Sequence, residues 1–174
     1  MKIDRLVLPP LDNNCYIISN YDEAIIVDPS SSEDVIEKNL KENNLILKAI
    51  FISHYHFDHI GALDYFVNKY NVPIYDYKTI GKYKIINLNV EVIPTKGHSK
   101  ECVSFYFKNT GDMFVGDFVF EGSIGRMDLE GGDEEEMVYS LKMLKNFPKE
   151  TKLYPGHDNV TTLERELLYN PYIW

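Results

Sequence analysis

The stretch Ser53-His54-Tyr55-His56-Phe57-Asp58-His59 constrains this chain more than any other, because three of its five histidines fall within six positions. It follows directly on the apolar run Ala49-Ile50-Phe51-Ile52 and leads directly into Ile60-Gly61-Ala62-Leu63, which reads as a helix packed close to that strand. Side chains two apart in an extended segment point to the same side, so His54 and His56 share a face. Asp58 and His59 follow where the chain turns into the helix. Four nitrogen and carboxylate donors are thereby presented to one small volume. Crowding such groups at a buried junction costs desolvation unless a positive charge sits among them. A divalent cation meets that need.

The same grammar recurs. Val90-Glu91-Val92-Ile93 leads to Gly97-His98, Met113-Phe114-Val115 to Gly116-Asp117, and Lys152-Leu153-Tyr154 to Pro155-Gly156-His157. Four apolar runs thus end in a metal-competent side chain, three of them with glycine just before it, where close backbone approach or an unusual φ is permitted. The candidate ligands are His54, His56, Asp58, His59, His98, Asp117 and His157. All are nitrogen or carboxylate oxygen donors, a set suited to zinc, iron or manganese. Seven exceed the needs of one tetrahedral ion. They suit two divalent ions about 3.5–4 Å apart that share a bridge.

The rest of the chain reads as strands with interspersed helices. Short β-branched or aromatic runs bounded by Asn, Asp, Gly or Pro predict strands at 3–8, 15–19, 24–27, 48–52, 74–75, 83–86, 90–93, 103–107, 113–115 and 151–154. A first helix is expected near Ser32, with Glu33 and Asp34 in its first turn and Val35, Ile36 and Leu40 on one side. A second follows Asp58 with Ile60, Leu63, Val67 and Tyr70 on one face. A third begins at Asp133, which Glu136 can complete as a capping box, with the stripe Met137, Leu141, Leu144. This order predicts an α/β protein whose sheets are covered by helices. The 174 residues, 44% apolar and 26% charged, fit one domain over 1–174.

Several function classes are disfavoured. The net charge of −9 repels phosphate backbones, and no basic cluster offsets it, so nucleic acid is not an expected partner. The longest apolar run is four residues, far short of the roughly 20 a membrane span needs. Cys15 and Cys102 are too few and too far apart for a disulfide framework or a thiolate zinc site. With no apolar signal core after Met1, the expected compartment is the cytoplasm. Nothing in the sequence specifies an oligomeric state.

His54-x-His56-x-Asp58-His59, followed by His98, Asp117 and His157, resembles in order and type the signature of the metallo-β-lactamase-fold hydrolases. The stretch Gly125-Arg126-Met127-Asp128-Leu129-x-Gly131-Gly132 and the run Tyr154-Pro155-Gly156-His157 are similar to the glyoxalase II-like branch, and the 161–171 segment to its single-domain members. The resemblance implies a four-layer αβ/βα sandwich with the metals at the edge of two mixed sheets. It implies one ion on His54, His56 and His98, a second on Asp58, His59 and His157, and Asp117 as the bridge. Asp28 matches a position that supports the site from behind. Zinc is the implied metal, with iron or manganese as alternatives. The implied activity is hydrolysis of a small-molecule thioester or ester by a metal-bridging hydroxide, with Asp58 and Asp117 orienting it or taking its proton. Only residues 158–174 follow His157, which leaves no room for the helical region that grips glutathione in glyoxalase II, so little loyalty to glutathione is expected. Two other readings are a persulfide dioxygenase with one iron on His54, His98 and Asp117, and a non-hydrolytic metal-binding or electron-transfer module. Arg126 and Asp128 read as a local pair, although Arg126 can reach a substrate carboxylate, and Cys102 reads as structural.

Overall fold

The computed structural model describes residues 1–173. The first half of the chain contributes β1 (Lys2–Leu8), β2 (Asn13–Asn20), β3 (Glu23–Val27), α1 (Glu33–Glu42), β4 (Ile46–Phe51), α2 (Phe57–Ile60), α3 (Leu63–Tyr70) and β5 (Ile74–Tyr75). The second half contributes β6 (Gly81–Ile85), β7 (Leu88–Pro94), β8 (Val103–Phe107), β9 (Asp112–Gly116), β10 (Val119–Phe120), β11 (Ser123–Ile124), α4 (Glu134–Leu144), β12 (Lys152–Pro155), β13 (Thr161–Thr162) and α5 (Leu163–Tyr169). One sheet has the order β1-β2-β3-β4-β5, the other β13-β12-β9-β8-β7-β6, and β10-β11 is a separate hairpin. Both large sheets are mixed: β3, β4 and β5 run parallel, as do β9 and β12, and the remaining pairs are antiparallel.

Strand periodicity builds the layers. Tyr16 and Ile18, Ile25 and Val27, and Ala49 and Phe51 face inward, against Val90, Val92, Val103, Phe105, Phe107 and Phe114 of the second sheet. Phe51 stacks on Phe105 at a centroid distance of 4.4 Å and so joins the two sheets. The alternate residues Ile17, Ile26, Ile50 and Ile52 face out and are covered by Ile36 and Leu40 of α1 and Leu63 and Phe66 of α3. On the far side Met113, Val115 and Leu153 are covered by Met137, Leu141 and Leu144 of α4 and Leu163 of α5. The result is the expected helix–sheet–sheet–helix sandwich.

Local details depart from the sequence reading. Val35 does not join the buried face of α1; it is exposed, while Ile36 and Leu40 are buried. Ser32 sits in the left-handed region at φ 54° and makes no side-chain cap. The second helix is two short ones. The break falls at Gly61, where a Cβ would lie 2.1 Å from the Ser30 carbonyl oxygen, so the chain must pass the β3–α1 loop too closely for any side chain. Asp58 and His59 accordingly lie inside α2 rather than ahead of it. Asp133 does cap α4, accepting from the Glu136 amide at 3.0 Å. Its own amide donates to the Gly97 carbonyl at 2.8 Å instead of to Glu136, so only half of the capping box forms. The hairpin β10-β11, β13 and α5 have no counterpart in the sequence reading. Among the described residues no helix is long and apolar enough to cross a membrane.

Candidate metal centre

The C-terminal ends of β3, β4, β9 and β12 meet at one edge of the sandwich, with the β7–β8 loop beside them. The two parallel pairs bring this about, because β3 and β4 emerge side by side, as do β9 and β12. Asp28 follows β3, His54 and His56 follow β4, Asp117 follows β9 and His157 follows β12. His98 is delivered by the loop after β7. That loop is tied to α4 through Asp133 N to Gly97 O and through Ser140 Oγ to Lys96 O at 2.8 Å. All seven side chains singled out in the sequence are brought together. Their donor atoms form three groups, each lying within 4.8 Å: His54, His56 and His98; His54, His59 and Asp117; Asp58, His59 and His157.

Individual distances are short. His56 Nδ1 is 3.1 Å from His54 Nε2 and 2.9 Å from His98 Nε2. His59 Nε2 is 3.3 Å from Asp117 Oδ1 and 3.6 Å from Asp58 Oδ2. His157 Nε2 is 3.2 Å from Asp58 Oδ2 and 3.6 Å from Asp117 Oδ2, and His98 Nε2 is 3.6 Å from Asp117 Oδ2. Close backbone approach makes this possible at Gly156, where a Cβ would lie 2.4 Å from Asp117 Oδ1 and 2.5 Å from His59 Cε1.

The outward-facing atoms decide what the cluster can hold. His98 Nδ1 lies 2.7 Å from the Arg126 carbonyl and His157 Nδ1 3.1 Å from the Leu11 carbonyl. A carbonyl only accepts, so both Nδ1 atoms carry a proton, and Nε2 is the atom that each neutral ring offers to a cation. His59 Nδ1 likewise donates to Asp28 Oδ2 at 3.0 Å. Ser53 Oγ donates to Asp28 Oδ2 at 2.6 Å and so is free to accept from His54 Nδ1 at 3.0 Å. Asp28 Oδ1 also accepts from the Ser53 amide at 2.7 Å. Four imidazoles therefore turn Nε2 toward one another and toward two carboxylates. Asp117 Oδ1, buried there, has no hydrogen-bond partner. Such an arrangement fits cations, and outer hydrogen bonds of this kind are what fix metal-binding tautomers.

The electrostatics agree. Burial, helped by neighbouring imidazoles, pushes His54 well below the usual histidine range, and burial, helped by His98, lowers His56. Burial would lower His59 too, yet Asp117 and Asp28 outweigh it and raise the group to about 10, so the two carboxylates favour positive charge at Nε2, a proton that a bound cation would replace. Burial would raise Asp117, but the His59 imidazole holds its carboxyl far below the usual range. Asp58 is lowered against its burial by a proton on His157 Nε2, the place a cation would take. Both carboxylates are thus ionised at neutral pH.

Neighbours outside the expected set complete the site. Arg126 and Asp128 form an exposed ion pair at 2.7 Å, and Arg126 serves the site through its carbonyl. Asn13 and Asn14 are buried at the start of β2, which the sequence reading began only at Cys15. Asn14 Nδ2 donates to the carbonyls of Pro155 at 3.0 Å and Asp158 at 2.9 Å, clamping the turn that carries His157. The available signal was two adjacent polar residues opening an otherwise apolar strand. Cys102 is buried, and burial pushes its thiol up to about 12, so it offers no nucleophile.

Fold and donor set together define a metal-binding αβ/βα hydrolase architecture. The family model described as the metallo-beta-lactamase superfamily matches residues 8–88 and 82–157, and the chain belongs to that superfamily of metallo-hydrolases. It is 30% identical to "Probable metallo-hydrolase YqgX" of Bacillus subtilis over 99% of this chain and 98% of the relative. It is 34% identical to "Hydroxyacylglutathione hydrolase" of Tolumonas auensis over 84% of this chain, but spans only 62% of that relative. Among solved structures, the chain is similar to BLEG-1 B3 metallo-beta-lactamase (29% identity, TM-score 0.91, 99% of both chains). It is equally identical to TTHA1623 in a di-iron-bound form, at 29% (TM-score 0.88, 97% of this chain and 99% of that one).

Proposed function

We propose that the protein is a dinuclear metallohydrolase that cleaves a small-molecule thioester or a similarly activated ester, acting as one domain in the cytoplasm. The observation that carries this is the convergence of inward-facing imidazole Nε2 atoms on two ionised carboxylates, with no serine or cysteine among the described residues poised to attack. In this reading His54, His56 and His98 hold one ion, Asp58, His59 and His157 hold the other, and Asp117 bridges. Bound cations supply water activated at neutral pH and positive charge for a developing oxyanion. Asp58 and Asp117, both ionised, orient the attacking water and accept its proton. Asp28, through Ser53 and His59, holds the tautomers that keep the lone pairs inward. A thiolate leaves without strong acid catalysis because free thiols ionise near pH 8.5, and none of the seven side chains is placed as a dedicated acid. Similarity to hydroxyacylglutathione hydrolases supports the thioester class. The two buried cysteines, both free, are consistent with a reducing compartment.

The test is turnover by metal-stripped and metal-reloaded protein on lactoylglutathione, the same acyl group on other thiols, a β-lactam and a glutathione persulfide with an oxygen electrode. Metal-dependent thioester hydrolysis is expected. No thioester turnover by reloaded protein, together with oxygen uptake on the persulfide, moves the assignment to a dioxygenase. Cleavage of the β-lactam in preference to every thioester removes the thioester assignment.

A further inference from the structure

We propose that Asn13 is an additional metal ligand, using its side-chain carbonyl on the side of the centre formed by Asp58, His59 and His157. The assignment rests on the two-ion reading above. Asn13 is the first residue of β2, pairs with Leu8 across the β1–β2 ladder, and is fully buried. Its Nδ2 lies 3.0 Å from His59 Nε2. Its Oδ1, buried as well, has no hydrogen-bond partner. An unpaired buried carbonyl typically costs about 1–3 kcal/mol, so a folded protein that keeps one usually has a use for it.

His59 makes that use specific. Its Nδ1 proton is committed to Asp28, so the neutral ring that a cation needs has a single lone pair, on Nε2. That lone pair cannot accept from Asn13 and bind a cation together. A cation on His59 therefore evicts the Asn13 N–H from its present bond. A half-turn of the carboxamide exchanges oxygen and nitrogen without moving any other atom. It places Oδ1 where Nδ2 now stands, 3.0 Å from His59 Nε2. Neighbouring ligands each about 2.1 Å from one six-coordinate ion are separated by about 3.0 Å, so that spacing suits two ligands of one ion. Around the same Nε2 atom stand Asp117 Oδ1 at 3.3 Å and Asp58 Oδ2 at 3.6 Å. The donor set on this side becomes two imidazole nitrogens and three oxygens. The other side offers three imidazole nitrogens and one Asp117 oxygen. The oxygen-rich side is the harder of the two and suits manganese(II) or iron(II) better than the other side does.

The experiment is titration of metal-stripped protein with Mn2+, followed by calorimetry, competition against a chelator and the Mn2+ electron paramagnetic resonance signal, in wild type, Asn13→Ala and Asn13→Asp. Two ions are expected in wild type. Asn13→Ala weakens one of them about tenfold or more and leaves the other within about threefold. Asn13→Asp, which puts an anionic oxygen in the same place, tightens that same ion. Wild-type affinities in both variants, or tighter binding in Asn13→Ala, overturn the assignment; the latter means that Asn13 only competes for His59. If Asn13→Ala fails to fold, Asn13→Asp decides: unchanged or weaker binding overturns it. A wild type that takes up one ion in total overturns the two-ion reading and this assignment with it.

Discussion

Asp28→Asn exchanges one oxygen for an amide nitrogen at nearly constant volume, and it isolates the control of the His59 tautomer. The Asp28 carboxylate accepts from the Ser53 amide at 2.7 Å, Ser53 Oγ at 2.6 Å and His59 Nδ1 at 3.0 Å. An asparagine keeps its carbonyl on the Ser53 amide, because the reverse orientation sets two donors face to face. Its NH2 then meets Ser53 Oγ, which can accept, and His59 Nδ1, which must give up its proton to Nε2. The Nε2 lone pair is lost, and a cation binds there only after the tautomer is forced back. Changes behind a metal ligand of this kind cost about 10–100-fold in affinity, or about 1.4–2.7 kcal/mol. We expect that loss for the ion on the His59 side, with the ion on His56 and His98 within about threefold. Asp28→Ala removes the acceptor of all three buried donors. At about 1–3 kcal/mol each, it should destabilise the fold by about 3 kcal/mol or more. Calorimetric metal titration reads the affinities, nitrogen-15 spectra of the imidazoles read the tautomer, and thermal melts read the stability. Asp28→Asn protein that binds both ions within twofold of wild type, with His59 still protonated on Nδ1, would refute the reasoning.

Asp117→Ala should weaken both ions and abolish hydrolysis, whereas His157→Ala should weaken mainly one; elemental analysis after dialysis separates these outcomes, and identical losses would disprove the bridging role. Gly156→Ala should lower metal affinity at least tenfold with the secondary structure retained by circular dichroism, since its Cβ would fall 2.4 Å from Asp117 Oδ1. Gly111→Ala, which meets nothing within 4 Å but strains a backbone at φ 74°, is the control for strain alone and should lower the melting temperature while leaving metal binding unchanged. Far from the site, Lys69, Lys41 and Tyr70 hold the Glu37 carboxyl down at about 2, from an ordinary 4.5. A depressed carboxylate stabilises the fold above its unfolded pKa and loses that contribution as pH falls through the folded value. Glu37→Gln should therefore flatten the decline in melting temperature between pH 4.5 and 2, and an unaltered pH profile would show that the cluster joining α1 and α3 contributes nothing.

Which side chains gather was legible in the sequence, because each donor ends an apolar run and strand periodicity sends such ends to one edge of a sheet. The nine longer strands and the Asp133 cap were legible because alternation and capping are properties of a few neighbouring residues, and the two-residue β5 was marked by its flanking Pro73 and Asp76. The two-residue strands β10, β11 and β13 were not, since a pair of residues carries no period. Helix α5 was hidden too. Its Leu163 and Glu166 face the fold while Leu168 and Tyr169 stay exposed, so apolar spacing does not mark its buried side.

The sequence by itself determined the donor inventory, five imidazoles and two carboxylates with no thiol among them, and with it the range of metals and chemistry open to this chain. Only the tertiary structure decided how those donors are protonated. The Arg126 and Leu11 carbonyls and Asp28 reach their histidines from other loops and strands, and Ser53, the chain neighbour of His54, is oriented by Asp28; together they select the tautomer of each ring. Tertiary structure alone also turned Asn13 toward His59, because a one-residue shift in the β1–β2 register would point it to the opposite face. A proton's place on an imidazole follows from the atom opposite it, and in this fold that atom either comes from a distant part of the chain or, at Ser53, is set by a side chain that does.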